Sequence, residues 1–226
     1  WGKKLGDVSL KDALFFDGLS DPVLNIGMGE TAERIADKHG ITRAQQDEFA
    51  ALSQQRAGAA DFSREIIAVA DVARDEHPRP ETTAESLAKL KPAFRKEGTV
   101  TAGNASGIND GAALVLVGPE TAGMTPRARI VATAAVGCDP ALMGLGPVGA
   151  IQAVLARADW KLDDVDAFEI NEAFAVQTLG CLKELGLGTD RLNQRGGAIA
   201  LGHPIGASGA RVLVTLLHLM EDKNYK

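Results

Sequence analysis

Between residues 31 and 61 the chain reads "TAERIADKHGITRAQQDEFAALSQQRAGAAD", with Ile35, Ala36, Ile41, Phe49 and Leu52 spaced to fall on helical faces. Gly40 is placed to stop a first helix and Thr42 to cap a second. "ARDEHPRPETTAESLAKL" breaks that periodicity with prolines and predicts an irregular segment, ending in a short helix that starts near Thr83 or Ala84. A Gly/Asn/Ser loop follows, and then an apolar run, Ala112 to Val117, closed by Gly118-Pro119, which predicts a strand. Beyond Ala128 the pattern alternates. "ARIVATAAVG" predicts a buried strand, "PVGAIQAVLARAD" a helix, "DVDAFEI" a strand, and "EAFAVQTLGCLKELG" a helix ended by Gly186. The last run, "GARVLVTLLHLM", is apolar nearly all round, which predicts a helix sandwiched between layers. Strand–helix alternation of this kind places the chain in the α/β class, with helices covering a sheet. The first half reads as a helical, loop-rich insert joined to that layer. No short internal repeat is visible, and no apolar run reaches transmembrane length without interruption.

Composition narrows the picture without changing it. The 226 residues suit one large domain or two small ones, and 45% hydrophobic with 24% charged residues is ordinary for a soluble protein. Aromatics are only 4%, so the core is built from Ala, Val, Leu and Ile. A net charge of −6 argues against nucleic-acid or membrane partners; an anionic ligand then needs a local basic pocket. Cys138 and Cys181 lie in apolar surroundings without metal-ligand spacing, so they read as packed thiols in a reducing compartment, and no metal is expected. "WGKKLGDVSLKD" lacks Met and resembles no signal peptide; it reads like the middle of a chain.

Three stretches carry candidate chemistry. In "GHPIGASGAR" the glycines allow a sharp turn, Pro204 stiffens it at His203, and a helix beginning near Gly206 to Ser208 points its N–H groups back at the loop. An imidazole held there can act as a base or donate to a developing oxyanion; the plain alternative is a histidine satisfied by a backbone carbonyl in a tight turn. In "FEINEAFA" an apolar strand meets Asn171 and Glu172 at its carboxyl end, where open α/β sheets put ligand groups, although Asn171 can equally cap the next helix. "TAGNASGINDGAA" is either a nest of N–H groups for an anion or a connection, and Met28 and Met143, taken singly, are core fillers.

In this order and at these separations, "GNASGINDGAA", "NEAFA" and the long "GGAIALGHPIGASGAR" resemble the thiolase family of acetyl-CoA C-acyltransferases. The resemblance runs from about Lys11 to Leu219 and is joined by "MGETAE", "RPETTAESLAKLKPAFRKEGTVTAGNASG" and "LMGLGPVGA". It implies a five-layered αβαβα fold with a loop domain over the CoA. Residues 1–107 would be that loop domain, 108–125 the closing strand of the first half, and 126–226 an incomplete second half. The implied reaction is acyl transfer between 3-oxoacyl-CoA and CoA through an acylated cysteine, with CoA as substrate and no cofactor. A homodimer or homotetramer goes with it, while the Ala-rich, acidic composition points to a bacterial cytoplasm, with mitochondrion and peroxisome as alternatives.

Both family cysteines belong to motifs this sequence does not contain, and Cys138 and Cys181 stand in the wrong ones. The resemblance therefore implies an internal portion of a thiolase, inactive by itself; the alternative is a non-catalytic CoA-binding or interaction fragment. It gives His203 the place beside the nucleophilic thiol and in the oxyanion hole, and gives Asn171 a water that donates to the same oxyanion. Ala173 and Phe174 would line the acyl pocket. Arg79 and Ser86 would touch the nucleotide end of CoA, Phe94, Ala102 and Ser106 the pantetheine, and Met28 and Met143 the thioester end. Two positions depart from the family pattern. Gly27 stands where acetoacetyl-type members have histidine, and Arg195, where Asn is usual, would add charge near the turn that carries His203.

Overall fold

The computed structural model describes residues 2 and 4–225. After a short π-helical turn, Leu14–Gly18, the antiparallel pair β1 (Ser20–Asp21) and β2 (Ile26–Gly27) leads into helix α1 (Met28–His39). α1 stops at Gly40, whose φ of 62° needs no Cβ to be accommodated. α2 (Arg43–Ala59) starts where the sequence places its cap. Thr42 and Gln45 form a reciprocal capping box, each side chain taking the other's backbone N–H. A second capping box, Thr83 with Ser86, opens the single turn α3 (Ala84–Leu87).

The later helices are α4 (Gly146–Ala158), α5 (Ala175–Leu185), α6 (Ala198–Leu201) and α7 (Ile205–Lys223), with 3-10 turns at Pro140–Leu145 and Leu162–Asp164. α5 ends at Gly186 as the sequence indicates, with φ 67°. It packs against both α1 and α2, so the two halves of the chain share their core. On the α1 side Ile35, Val100 and Val176 are buried together; on the α2 side Phe49, Phe168, Cys181 and Ile199 are.

Several expectations are corrected. Ala112–Val117 and "ARIVATAAVG" form no ladder: Leu114 is 88% and Leu116 77% exposed, and Ile130 and Val131 are exposed as well. "DVDAFEI" makes a single parallel bridge, Phe168 with Leu192, rather than a strand. Apolar runs of this length favour extended backbone. A strand, however, exists only when a neighbour takes its N–H and C=O groups, and these runs have none among the described residues. α7 is not sandwiched, since it fully buries only Ala207, Ser208, Thr215, His218 and Leu219. Cys138 is exposed, whereas Cys181 is packed as expected. One stretch, Pro140–Ala158, is long and apolar enough to cross a membrane, with a mean hydropathy of 1.4. It bends at Leu142, and Leu145, Val148 and Ile151, each partly buried, pack against the α2-side core, while no residue of the stretch is fully buried.

Candidate active site

His203 sits in the turn between α6 and α7. Gly202 precedes it with φ 92°, and a Cβ there would lie 2.4 Å from the Asn109 side-chain oxygen, so both backbone and space require glycine. The loop carrying Asn109 is thereby pressed onto the histidine turn, and His203 N–H donates to the carbonyl of Gly107 at 3.2 Å. His77 adds a second support from the first half, its Nδ1 lying 2.8 Å from the carbonyl of Ala200.

The imidazole is held by side chains, not by a backbone carbonyl. Nδ1 is 2.6 Å from Ser208 Oγ, on the first turn of α7, and Ser208 gives its own hydrogen to the carbonyl of Pro204. Nε2 is 3.3 Å from the Asn171 amide nitrogen, which can only donate. This arrangement puts the ring hydrogen on Nδ1 and engages the Nε2 lone pair with the Asn171 amide hydrogen. Burial, assisted by the charge of Arg211, pushes the His203 pKa below the ordinary imidazole value, so the ring is neutral at pH 7. A half-buried, neutral imidazole whose Nε2 is held by one long 3.3 Å contact is suited to take a proton from a thiol that displaces that contact. An open groove of about 460 Å³, lined by Asn109, Asp110, Gly111, Pro204, Ile205 and Gly206, adjoins the turn.

The structure draws several of the other sequence-indicated residues into one run. Ser106 N–H and its hydroxyl both donate to the carbonyl of Ala173, each at 3.0 Å, two residues from Asn171. Ala105 bridges to Phe174, whose ring meets Phe94 edge-on at 5.8 Å between centroids. Phe94 in turn lies over Gly29, next to Met28 at the start of α1. Ala102 is exposed in the turn leading to Ser106. No hydrogen bond or ring contact joins Arg79, Ser86 or Met143 to this group among the described residues. Arg79 is exposed with its backbone N–H anchored on Gln54 of α2, and Ser86 is exposed but committed to its capping box. Met143 is exposed on the 3-10 turn that packs against α1.

Arg195 corrects an expectation. Its guanidinium turns away from His203 to pair with Glu65 and with Asp222 at the end of α7, while Thr215 donates to the other oxygen of Glu65. The charge that His203 feels is that of Arg211. Sequence reasoning missed Ser208 and Glu172. Ser208 was legible from its spacing, five residues after His203 on the opening turn of a helix, whereas Glu172, noted beside Asn171 at the end of the apolar run, gave no sign of its buried partners.

Residues 1–121 match the family model described as the thiolase N-terminal domain, and residues 124–226 match the thiolase C-terminal domain. An acetyl-CoA acetyltransferase of Allochromatium vinosum is 51% identical over 242 residues, covering 100% of this chain and 61% of that protein. An acetyl-CoA acetyltransferase of Escherichia coli (strain K12) is 51% identical over 239 residues, covering 99% and 61%. Among solved structures, human mitochondrial 3-ketoacyl-CoA thiolase in complex with CoA aligns with a TM-score of 0.91 at 44% identity, over 100% of this chain and 60% of that one. Bacillus anthracis acetyl-CoA acetyltransferase aligns at 0.90 and 44%, over 100% and 61%. The chain spans about three fifths of the length of these relatives.

Proposed function

The chain belongs to the thiolase family, and from that premise we propose that its parent polypeptide transfers acyl groups between 3-oxoacyl-CoA and CoA through a cysteine supplied from outside these 226 residues. The observation that carries this reading is the pairing of His203 with Asn171, 32 residues apart in sequence and 3.3 Å apart in space. In the acyl-transfer step the cysteine sulfur bonds to the acyl carbonyl carbon, the thioester carbon of an acyl-CoA or the 3-keto carbon of a 3-oxoacyl-CoA, while its proton passes to His203 Nε2. The imidazolium so formed, with a water held by Asn171, then donates to the oxygen on which charge collects. Collapse of that intermediate expels the CoA thiolate from an acyl-CoA, or breaks the C2–C3 bond of a 3-oxoacyl-CoA and expels the acetyl-CoA enolate, which takes up a proton at C2. Phe174, Phe94 and Met28 form the apolar wall of the acyl and pantetheine path, and Arg79 offers an exposed cation to the phosphates of CoA. A bacterial cytoplasm and a homodimer or homotetramer belong to the same proposal, supported by the bacterial relatives and by the apolar surface left uncovered here.

A second reading, a CoA-binding fragment without catalysis, is favoured for the isolated chain by its thiols. Burial raises the Cys181 pKa to about 11, which suppresses the thiolate, and Cys138 is exposed with only the carbonyl of Met143 near its sulfur. One experiment separates the two. Acetyl-CoA is added to the chain alone and to the chain joined to a family segment bearing the cysteine, and acetyl mass adducts are followed. The joined protein is expected to form an adduct that free CoA removes, and the chain alone none. A removable stoichiometric adduct on Cys138 or Cys181 overturns the assignment of the nucleophile. Arg79→Ala is expected to weaken CoA binding in calorimetry with little change in the saturated rate.

A further inference from the structure

Glu172 follows Asn171 directly, and its side chain is 1% exposed. Three hydrogens converge on its carboxyl group. Ser53 Oγ of α2 donates to Oε2 at 2.6 Å, Ile199 N–H of α6 donates to the same oxygen at 3.3 Å, and Asn193 Nδ2 donates to Oε1 at 2.9 Å. What lies behind each donor fixes its direction. Gly197 N–H occupies Ser53 Oγ at 3.1 Å, leaving the hydroxyl hydrogen for Glu172. Asn193 Oδ1 accepts from Ile170 N–H at 2.9 Å, so the amide nitrogen is the end that faces Glu172, and it also donates to the carbonyl of Ile170. Ile199 N–H and the Asn193 amide nitrogen can only donate, and Ser53 Oγ, already accepting from Gly197, has its hydrogen to give, so the set of partners favours the ionised carboxyl. The fit is tight: a Cβ on Gly197 would come within 2.3–2.6 Å of the carboxylate.

The three donors come from three separate elements. Ser53 lies in the first half of the chain, Asn193 in the turn after α5, and Ile199 four residues before His203. We propose that Glu172 is a buried carboxylate, held ionised at pH 7 by these donors, that acts as the positioning residue for Asn171 and His203, tying the segment before the histidine to the backbone that carries the asparagine. This rests on the reading of that pair as the acyl-transfer site. Burial raises the Glu172 pKa above the ordinary carboxylate value, against the hydrogen bonds from Ser53, Asn193 and Ile199 and the charge of Arg211, which lower it. The charged groups that face it are Arg211 and Arg56, with Glu169 as the second carboxyl.

Two spectroscopic measurements on the joined protein test this, and neither uses CoA or turnover. Isotope-edited infrared difference spectra at pH 7, wild type minus Glu172→Gln, are expected to show a carboxylate stretch and no protonated-acid carbonyl band. Long-range proton–nitrogen spectra are expected to show the His203 ring nitrogens displaced in Glu172→Gln, because an amide at 172 must turn its own –NH₂ toward a donor. Ser53→Ala removes one hydrogen bond to the same carboxylate and serves if the Gln variant fails to fold. It is expected to shift both the carboxylate band and the His203 nitrogens, while those of His39 stay in place. A protonated-acid band, or His203 nitrogens unmoved in whichever variant folds, overturns the proposal. A joined protein that shows these shifts but makes no acyl adduct overturns the acyl-transfer reading instead.

Discussion

His203 is protonated more readily in the unfolded chain than in the folded one, because burial and Arg211 depress its folded pKa. Such a group withdraws stability as pH falls below the unfolded value of about 6.5. His39 and His218 are shifted the same way, chiefly by burial, so the acid loss is shared among the three. The melting temperature is expected to drop between pH 7 and pH 5, with a shallower slope for His203→Gln than for wild type. Equal slopes would show that the fold does not disfavour the charged ring. In the joined protein, His203→Ala is expected to lower kcat by at least about 10²–10³, the usual effect of losing one oxyanion donor. His203→Asn, which keeps a donor, is expected to lose less; a folded Ala variant with the wild-type rate would exclude the catalytic role.

Glu169 behaves in the opposite sense. Both of its carboxyl oxygens are shielded without a hydrogen-bond partner, and burial raises its pKa to about 8. A carboxyl with a raised folded pKa contributes stability in acid that is lost as pH rises through the folded value. Glu169→Gln is therefore expected to match wild type at pH 5 and to melt several degrees higher at pH 9, measured by circular dichroism. A variant no more stable at pH 9 would mean that Glu169 carries its charge there without penalty.

At the scale of elements, two local devices can be weighed. The capping box at Thr42 satisfies end groups of α2, and Thr42→Ala is expected to cost about 1 kcal/mol, or roughly 2–4 °C in a chain of this size. Arg195 works across elements: it joins Glu65, whose side chain is 6% exposed, to the end of α7. Removing one member of a buried pair strands the other, so Arg195→Ala is expected to destabilise by about 3 kcal/mol, while Arg195→Ala with Glu65→Gln recovers part of that. Denaturant titration of the single and double variants checks this. If Arg195→Ala costs as little as a surface change, the strap does not hold the helix.

For the molecule as a whole, the unpaired runs around Leu114, Leu116, Ile130 and Val131 present apolar side chains and free backbone groups together. Extended segments in that state add to any available edge. The isolated chain is expected to self-associate in light scattering at micromolar concentration. A monodisperse monomer with a sharp cooperative melt would show that these runs are covered by the chain itself.

The sequence by itself determined what depends on near neighbours. The end of α1, the start of α2 and the end of α5 follow from helical periodicity, one capping threonine and two glycines, all acting within a few residues of their own positions. The histidine turn was legible for the same reason, as a dense run of Gly and Pro around one imidazole. Tertiary structure alone decided which extended runs gain a ladder, where Arg195 turns, and why a carboxylate follows Asn171. Those outcomes depend on groups far away in sequence: Ser53 lies 119 residues before Glu172, and Glu65 lies 130 before Arg195. A local pattern fixes backbone preference, but the partner of a buried charge or a strand edge is chosen only when distant segments meet and water is excluded.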